Sequence, residues 1–161
     1  MEILSVEHLN FRYPKSKTNA LNEISFKLEQ GDFAVLCGAT GSGKSTLLRM
    51  LKKEISPLGE KSGEISFCGI SLEKLANRQS ATEIGFVMQR PEQQIVTDKV
   101  WHELAFGLEN LGLSHETISC RVAEIACYFG IEKWFDREVS ELSGGQKQIL
   151  SLASVMVMNP K

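Results

Sequence analysis

Residues 33–54 read FAVLCGATGSGKSTLLRMLKKE, and the fold class turns on how this stretch divides. Its first five residues are a short continuous apolar run, the mark of a strand buried on both faces. Further on, Leu47, Leu48 and Leu51 recur at helical spacing. Between the two, GATGSGKS at 38–45 fits G-x-x-x-x-G-K-[ST] without a gap. Strand, glycine loop and helix, in that order, supply the context that turns the pattern into a site. The loop Gly38, Ala39, Thr40, Gly41, Ser42 and Gly43 lets the backbone curl so that successive N–H groups point inward at phosphate oxygens. A helix starting near Gly43 adds its positive end. Lys44 then reaches the β and γ phosphates, and Ser45 sets its hydroxyl on Mg²⁺. These residues imply a nucleoside triphosphate site, but they do not choose among kinases, GTPases and ATPase motors.

Working outward, the N-terminal side alternates. Ile3, Ser5 and Glu7 fall on one side, Leu4, Val6 and His8 on the other, and Ile24, Phe26 and Leu28 are separated by polar residues. Period two predicts strands. Past the loop punctuated by Pro57, Gly59 and Gly63, residues 64–68 and 84–89 read as two further strands. Residues 98–130 are helical in pattern. Val100, Leu104, Leu108 and Leu111 make one stripe and Ile118, Val122, Ile125 and Phe129 a second, with Gly112 and Ser114 between them. A last helix carries Ile149, Leu150, Leu152, Ala153 and Met156 and breaks at Asn159-Pro160. The expectation is an α/β domain: a mixed core with a strand-rich, antiparallel N-terminal edge and a helical insertion.

Composition narrows the function classes. A formal net charge of -2 provides no basic field for gripping a nucleic acid. No apolar run approaches the roughly 20 residues that a bilayer-spanning helix needs. The opening MEILSVEHLNFRYP carries Glu2 and Glu7 and lacks a basic leader and an apolar core, so a cytoplasmic N-terminus is expected. Cys37, Cys68, Cys120 and Cys127 show no metal-ligand spacing. Cys120 and Cys127, seven apart on one predicted helix, are expected to fill the core as small hydrophobes.

A second glycine pattern separates the nucleotide-binding classes. LSGGQ at 142–146 places Ser143, Gly144, Gly145 and Gln146 at the start of the last helix, a second phosphate-receptive N-terminus about a hundred residues from the first.

With both patterns in place, the chain resembles the nucleotide-binding subunits of ATP-binding cassette (ABC) transporters over essentially its whole length. GATGSGKST, ending in Thr46, is similar to their Walker A motif and ELSGGQKQ to their signature motif. Tyr13, in FRYP, matches the aromatic residue on which the family stacks adenine. Gln89, closing IGFVMQ, matches the Q-loop glutamine that links Mg²⁺ to the transmembrane partner. The stretch QRPEQQIVTDKVWHELAFGLENLGLS resembles the ATPases of energy-coupling-factor importers of vitamins or of metals such as cobalt and nickel. Pro91, Glu92, Gln94 and the run FGLEN carry that match.

The resemblance implies a P-loop NTPase core of ABC type at 1–90 and a helical signature subdomain at 91–161. It also implies ATP with Mg²⁺ on Ser45 and Gln89, catalytic roles for Lys44 and Gln89, and ATP sandwiched against the signature of a second, identical or different, cassette. It further implies a transmembrane coupling subunit docked at 89–94 and a peripheral place at the inner face of the cell membrane. Three departures stand out. Ile149 and Leu150 follow LSGGQKQ in place of an Arg and a branched apolar residue. His102 stands where an acid is common. Among Asp32, Asp98 and Asp136, none precedes a Glu, so the Asp-Glu that ends the family's catalytic strand is absent and with it the general base. The 161 residues alone are therefore expected to be inactive, as part of a longer single or fused double cassette. A soluble cassette of repair or translation, and a non-catalytic nucleotide-binding module, are the alternatives.

Overall fold

β1 (Glu2–Arg12) and β2 (Leu21–Glu29) pair antiparallel, and β3 (Glu60–Phe67) joins the other edge of β1. The short β4 (Ile70–Ser71) closes a hairpin on β3, giving a four-stranded sheet of order β2-β1-β3-β4. The computed structural model describes all residues 1–161.

The alternation predicted for β1 changes phase partway along. Val6 is buried opposite Phe26 and Ile65, but the next buried residues are Leu9 and Phe11, not His8. A bulge absorbs the extra residue: His8 takes φ +48°, facing Glu23 at φ +48° on β2. Gly63 on β3 lies so near the Glu7 and His8 carbonyls that a Cβ there would overlap both, and its φ of +90° suits glycine alone. Chain reversal after Arg12 and entry into β2 are fixed by the Ala20 N–H donating to the Phe11 carbonyl at 2.8 Å.

Two compact units follow the chain, Met1–Ser80 and Ala81–Lys161. The first holds the sheet and α1 (Lys44–Met50), with Val6, Leu9, Phe11, Leu21, Leu47, Met50, Ile65 and Phe67 buried. A short α2 (Asn77–Glu83) carries the chain into the second unit. There α3 (Val100–Asn110), α4 (His115–Phe129) and α5 (Gly144–Met156) form a helical cluster. Its core is Val100, Leu104 and Leu108 from α3, Ile118, Val122 and Ala126 from α4, and Leu150 and Ala153 from α5. Of the predicted stripes, Val100, Leu104, Leu108, Ile118 and Val122 lie in this core and Ile125 and Phe129 pack against it, while Leu111 is half-buried outside it. Ser114 caps α4 by accepting from the Thr117 N–H, and Gly130 ends it in the left-handed conformation at φ +66°.

Three expectations are corrected. Residues 33–37 are not a buried strand: they pair with nothing, and Phe33 is 93% and Val35 70% exposed. Residues 84–89 likewise form no strand, since α2 runs to Glu83 and irregular chain follows. A strand takes its ladder hydrogen bonds from neighbouring strands, so apolar sequence without an adjacent sheet edge forms none. The cysteines do not fill the core either. Cys37, Cys120 and Cys127 are exposed and Cys68 is half-buried. On α4 the inward face is set by Ile118, Val122 and Ala126, which turns Cys120 to the opposite side, about 200° from Ile118.

Candidate nucleotide site

The first unit places the glycine loop ahead of α1, with Gly43 as its N-cap in the left-handed region at φ +92°. A Cβ on Gly43 would stand 2.5 Å from the Ala20 carbonyl oxygen and 3.1 Å from Leu21, so the end of the loop is seated directly on the start of β2. Inside the loop, Lys44 Nζ donates to the carbonyls of Gly38 and Ala39, both at 2.7 Å, and stands 3.4 Å from Ser42 Oγ. The ammonium charge is thus held within the curl, ringed by backbone oxygens that an incoming anion can replace. Thr40, Gly41, Ser42 and Ser45 are exposed around it, while Thr46 is buried.

Tyr13, one residue past β1, is tied to this loop. Its ring packs edge-on against Phe11, with centroids 4.9 Å apart and planes at 84°, and its hydroxyl is 3.0 Å from Thr46 Oγ1. The aromatic residue and the phosphate-loop helix therefore meet within one unit. Sequence reasoning placed value on the ring alone; the hydroxyl contact gave no signal in the sequence.

The second unit carries the other glycine pattern. Ser143 is the N-cap of α5 and forms a complete capping box with Gln146. Ser143 Oγ accepts from the Gln146 N–H at 3.3 Å, and Gln146 Oε1 accepts from the Ser143 N–H at 2.8 Å. Because Ser143 Oγ acts as acceptor in this box, its own proton remains available to donate. Gly144 and Gly145 are exposed with open space where side chains would be, leaving the helix tip bare.

Gln89 is also exposed in this unit, at the head of the loop leading to the 3-10 turn Pro91–Gln93. Gln94 is half-buried with its amide used at both ends: Oε1 accepts from the Met88 N–H and Nε2 donates to the Ser151 carbonyl, each at 2.8 Å. Glu92 remains exposed. Sequence reasoning missed Glu103. Buried on the first turn of α3, its Oε2 accepts from the Val96 N–H, the Thr97 N–H and the Thr97 hydroxyl, all at 3.0 Å. The departure at His102 stands next to this acid; His102 itself is exposed, its ring 4.3 Å from that of Trp101. An open groove of about 520 Å³ runs beside the loop, lined by Glu92, Asp98, Glu138 and Lys147 among polar and apolar neighbours.

A mixed α/β fold with a phosphate-type glycine loop, together with a second glycine turn at a helix tip, defines a P-loop nucleotide-binding protein. Within that class, the chain belongs to the ABC transporter family, whose profile matches residues 21–161. A putative ABC transporter ATP-binding protein of Bacillus cereus is 45% identical over 156 residues, 97% of this chain and 28% of that protein. The energy-coupling factor transporter ATP-binding protein EcfA1 of Lacticaseibacillus paracasei is 35% identical over 159 residues, 99% of this chain and 56% of its own. The solved structure of CbiO1 from Clostridium perfringens, part of the ABC transporter complex CbiONQ, superposes with a TM-score of 0.86 at 33% identity. That superposition covers 99% of this chain and 63% of the CbiO1 chain. The chain therefore spans less than two thirds of the length of each of these relatives. No helix in it is long and apolar enough to cross a membrane.

Proposed function

We propose that this chain is the nucleotide-binding part of an ATPase subunit that powers import of a vitamin or a transition metal ion through a membrane partner. The observation that carries the reading is the Lys44 ammonium held at the centre of the glycine loop by the Gly38 and Ala39 carbonyls. Released from those oxygens, the same charge meets the β and γ phosphates, while the backbone N–H groups of the loop cradle them. Tyr13 offers its ring to adenine. Ser143, Gly144, Gly145 and Gln146 of a second protomer face the same nucleotide, in a homo- or heterodimer. The importer reading is supported by the names of the EcfA1 relatives and by the matching stretch at 89–114.

Ser45 and Gln89 are the proposed Mg²⁺ ligands: each separately presents an exposed oxygen, the Ser45 hydroxyl on the first turn of α1 and the Gln89 amide, of the hard type that this ion takes beside nucleotide phosphates. Bound there, Mg²⁺ shares the phosphate charge and polarises the γ-phosphate. Within these 161 residues no Asp-Glu pair supplies a base for the attacking water, so the isolated piece binds nucleotide and turns over none.

The transmembrane subunit docks at residues 89–94, with Glu92 as the exposed charge and the neighbouring groove, bearing Asp98 and Glu138, as an acidic seat for a basic helix. That places the protein at the inner face of the membrane, with residues 1–90 as nucleotide core and 91–161 as signature subdomain.

Two measurements test this. Lys44→Ala weakens ATP binding by about 2–3 kcal/mol in calorimetry with Mg²⁺, since a charge-assisted contact is lost; unchanged affinity rejects the nucleotide site. Glu92→Lys in the full-length protein leaves ATP affinity intact but impairs assembly with the transmembrane subunit and uptake. Normal assembly and uptake in that variant would reject the docking assignment.

A further inference from the structure

Gln94 joins two segments to which the proposed function gives roles toward ATP, the backbone beside Gln89 and the helix that begins at the signature. Its Oε1 holds the N–H of Met88, the residue before Gln89, and its Nε2 holds the carbonyl of Ser151 on α5, at 2.8 Å each. Ser151 is fully buried, eight residues along α5 from Ser143, or about two helical turns. Its carbonyl also accepts from the Ser154 hydroxyl at 3.1 Å. Between Ser151 and the tip, α5 is an unbroken helix with Leu150 buried and its first turn closed by the Ser143–Gln146 capping box. The amide meets both demands at once, an acceptor for one partner and a donor for the other. Glutamate would set a carboxylate against the Ser151 carbonyl, and asparagine is one methylene too short to keep both partners. Methionine fills the space with neither bond.

We infer that Gln94 is a positioning residue that ties the backbone beside Gln89 to the signature helix, so that a displacement of Gln89 carries Ser143, Gly144 and Gly145 with it. The inference rests on the proposed roles of Gln89 and the signature toward ATP. It gives Gln94 a task inside the chain, separate from the partner contact assigned to Glu92.

Hydrogen exchange of the natural full-length protein, with and without a non-hydrolysable ATP analogue and Mg²⁺, reads this link directly. In the parent, the analogue slows exchange both at 88–94 and at 143–146. In Gln94→Ala and Gln94→Glu the response at 88–94 persists and analogue affinity stays within about twofold, whereas the response at 143–146 falls by about fivefold or more. Ser154→Ala removes the other side-chain bond to the same carbonyl and keeps the parent response. A parent-like response at 143–146 in the Gln94 variants overturns the inference and leaves the nucleotide reading standing. Loss of protection throughout α3, α4 and α5 in Gln94→Glu without nucleotide also overturns it, by making Gln94 a packing residue only. Absence of any response in the parent overturns the nucleotide reading and this inference together.

Discussion

The Tyr13 hydroxyl and Thr46 Oγ1 lie 3.0 Å apart, linking the end of β1 to the first helix of the phosphate loop. Ring and hydroxyl therefore have separable roles. Tyr13→Phe keeps the face presented to adenine and loses the link, so a loss of about 0.5–1.5 kcal/mol in stability is expected with little change in ATP affinity. Tyr13→Ala loses the stacking face as well and should weaken ATP binding by about 1–3 kcal/mol. Tyr13→Trp should behave like Phe. Parallel thermal melts and ATP titrations of the three variants separate the two roles.

Gly43 admits no side chain. Its φ of +92° and the 2.5 Å that would separate an added Cβ from the Ala20 carbonyl oxygen act together. Gly43→Ala must either push β2 away or unwind the first turn of α1, at an expected cost of about 2 kcal/mol or more, with nucleotide affinity lost in step. Denaturant unfolding and an ATP titration on the same preparation check both effects.

Glu103 predicts the behaviour of the loop ahead of α3. Removing its carboxylate strands the N–H groups of Val96 and Thr97 in a part-buried setting. Glu103→Ala should cost about 2–4 kcal/mol, and Glu103→Gln clearly less, since an amide oxygen still accepts. Thermal denaturation gives the order, and equal losses in the two variants would show that charge, not geometry, holds the loop.

The bulge between β1 and β2 should titrate. Glu23 is held below the usual carboxylate range, first by the Asn10 amide donating at 2.7 Å and then by His8, whose Nδ1 is 2.8 Å away. A lowered folded-state value means that the contribution is present above the ordinary carboxylate range and is lost as pH falls through the folded value. Asn10→Ala and His8→Ala should each raise the Glu23 midpoint, as read by NMR titration of the Glu23 carboxyl.

Much of this architecture was legible along the chain because it is local. Alternation marked β1 and β2, and helical stripes marked α3, α4 and α5, since each pattern reports a face that its own neighbours bury. The runs at 33–37 and 84–89 were misread because a central strand is completed by edges far away in sequence, and an apolar run cannot report whether such an edge exists. The bulge at His8 escaped for a related reason: it is matched by Gly63 on another strand, which lies close against the Glu7 and His8 carbonyls. At the site, the glycine patterns were readable because backbone curvature demands glycine wherever it occurs. Gln94 and Glu103 were not, since an amide or an acid in a polar loop looks the same whether it faces water or holds Met88, Ser151 and Thr97.

The closed capping box at the tip of α5 bears on the thermodynamics of any anion that arrives there. Ser143 and Gln146 already restrain each other, so the turn bearing Gly144 and Gly145 is ordered before an encounter. The loss of backbone freedom at these two glycines falls on folding of the helix, and little of it is left to oppose association. For the phosphate that the proposed function brings to this tip, engagement should carry a small entropic penalty. Opening the box by Gln146→Ala should then appear as a more unfavourable binding entropy.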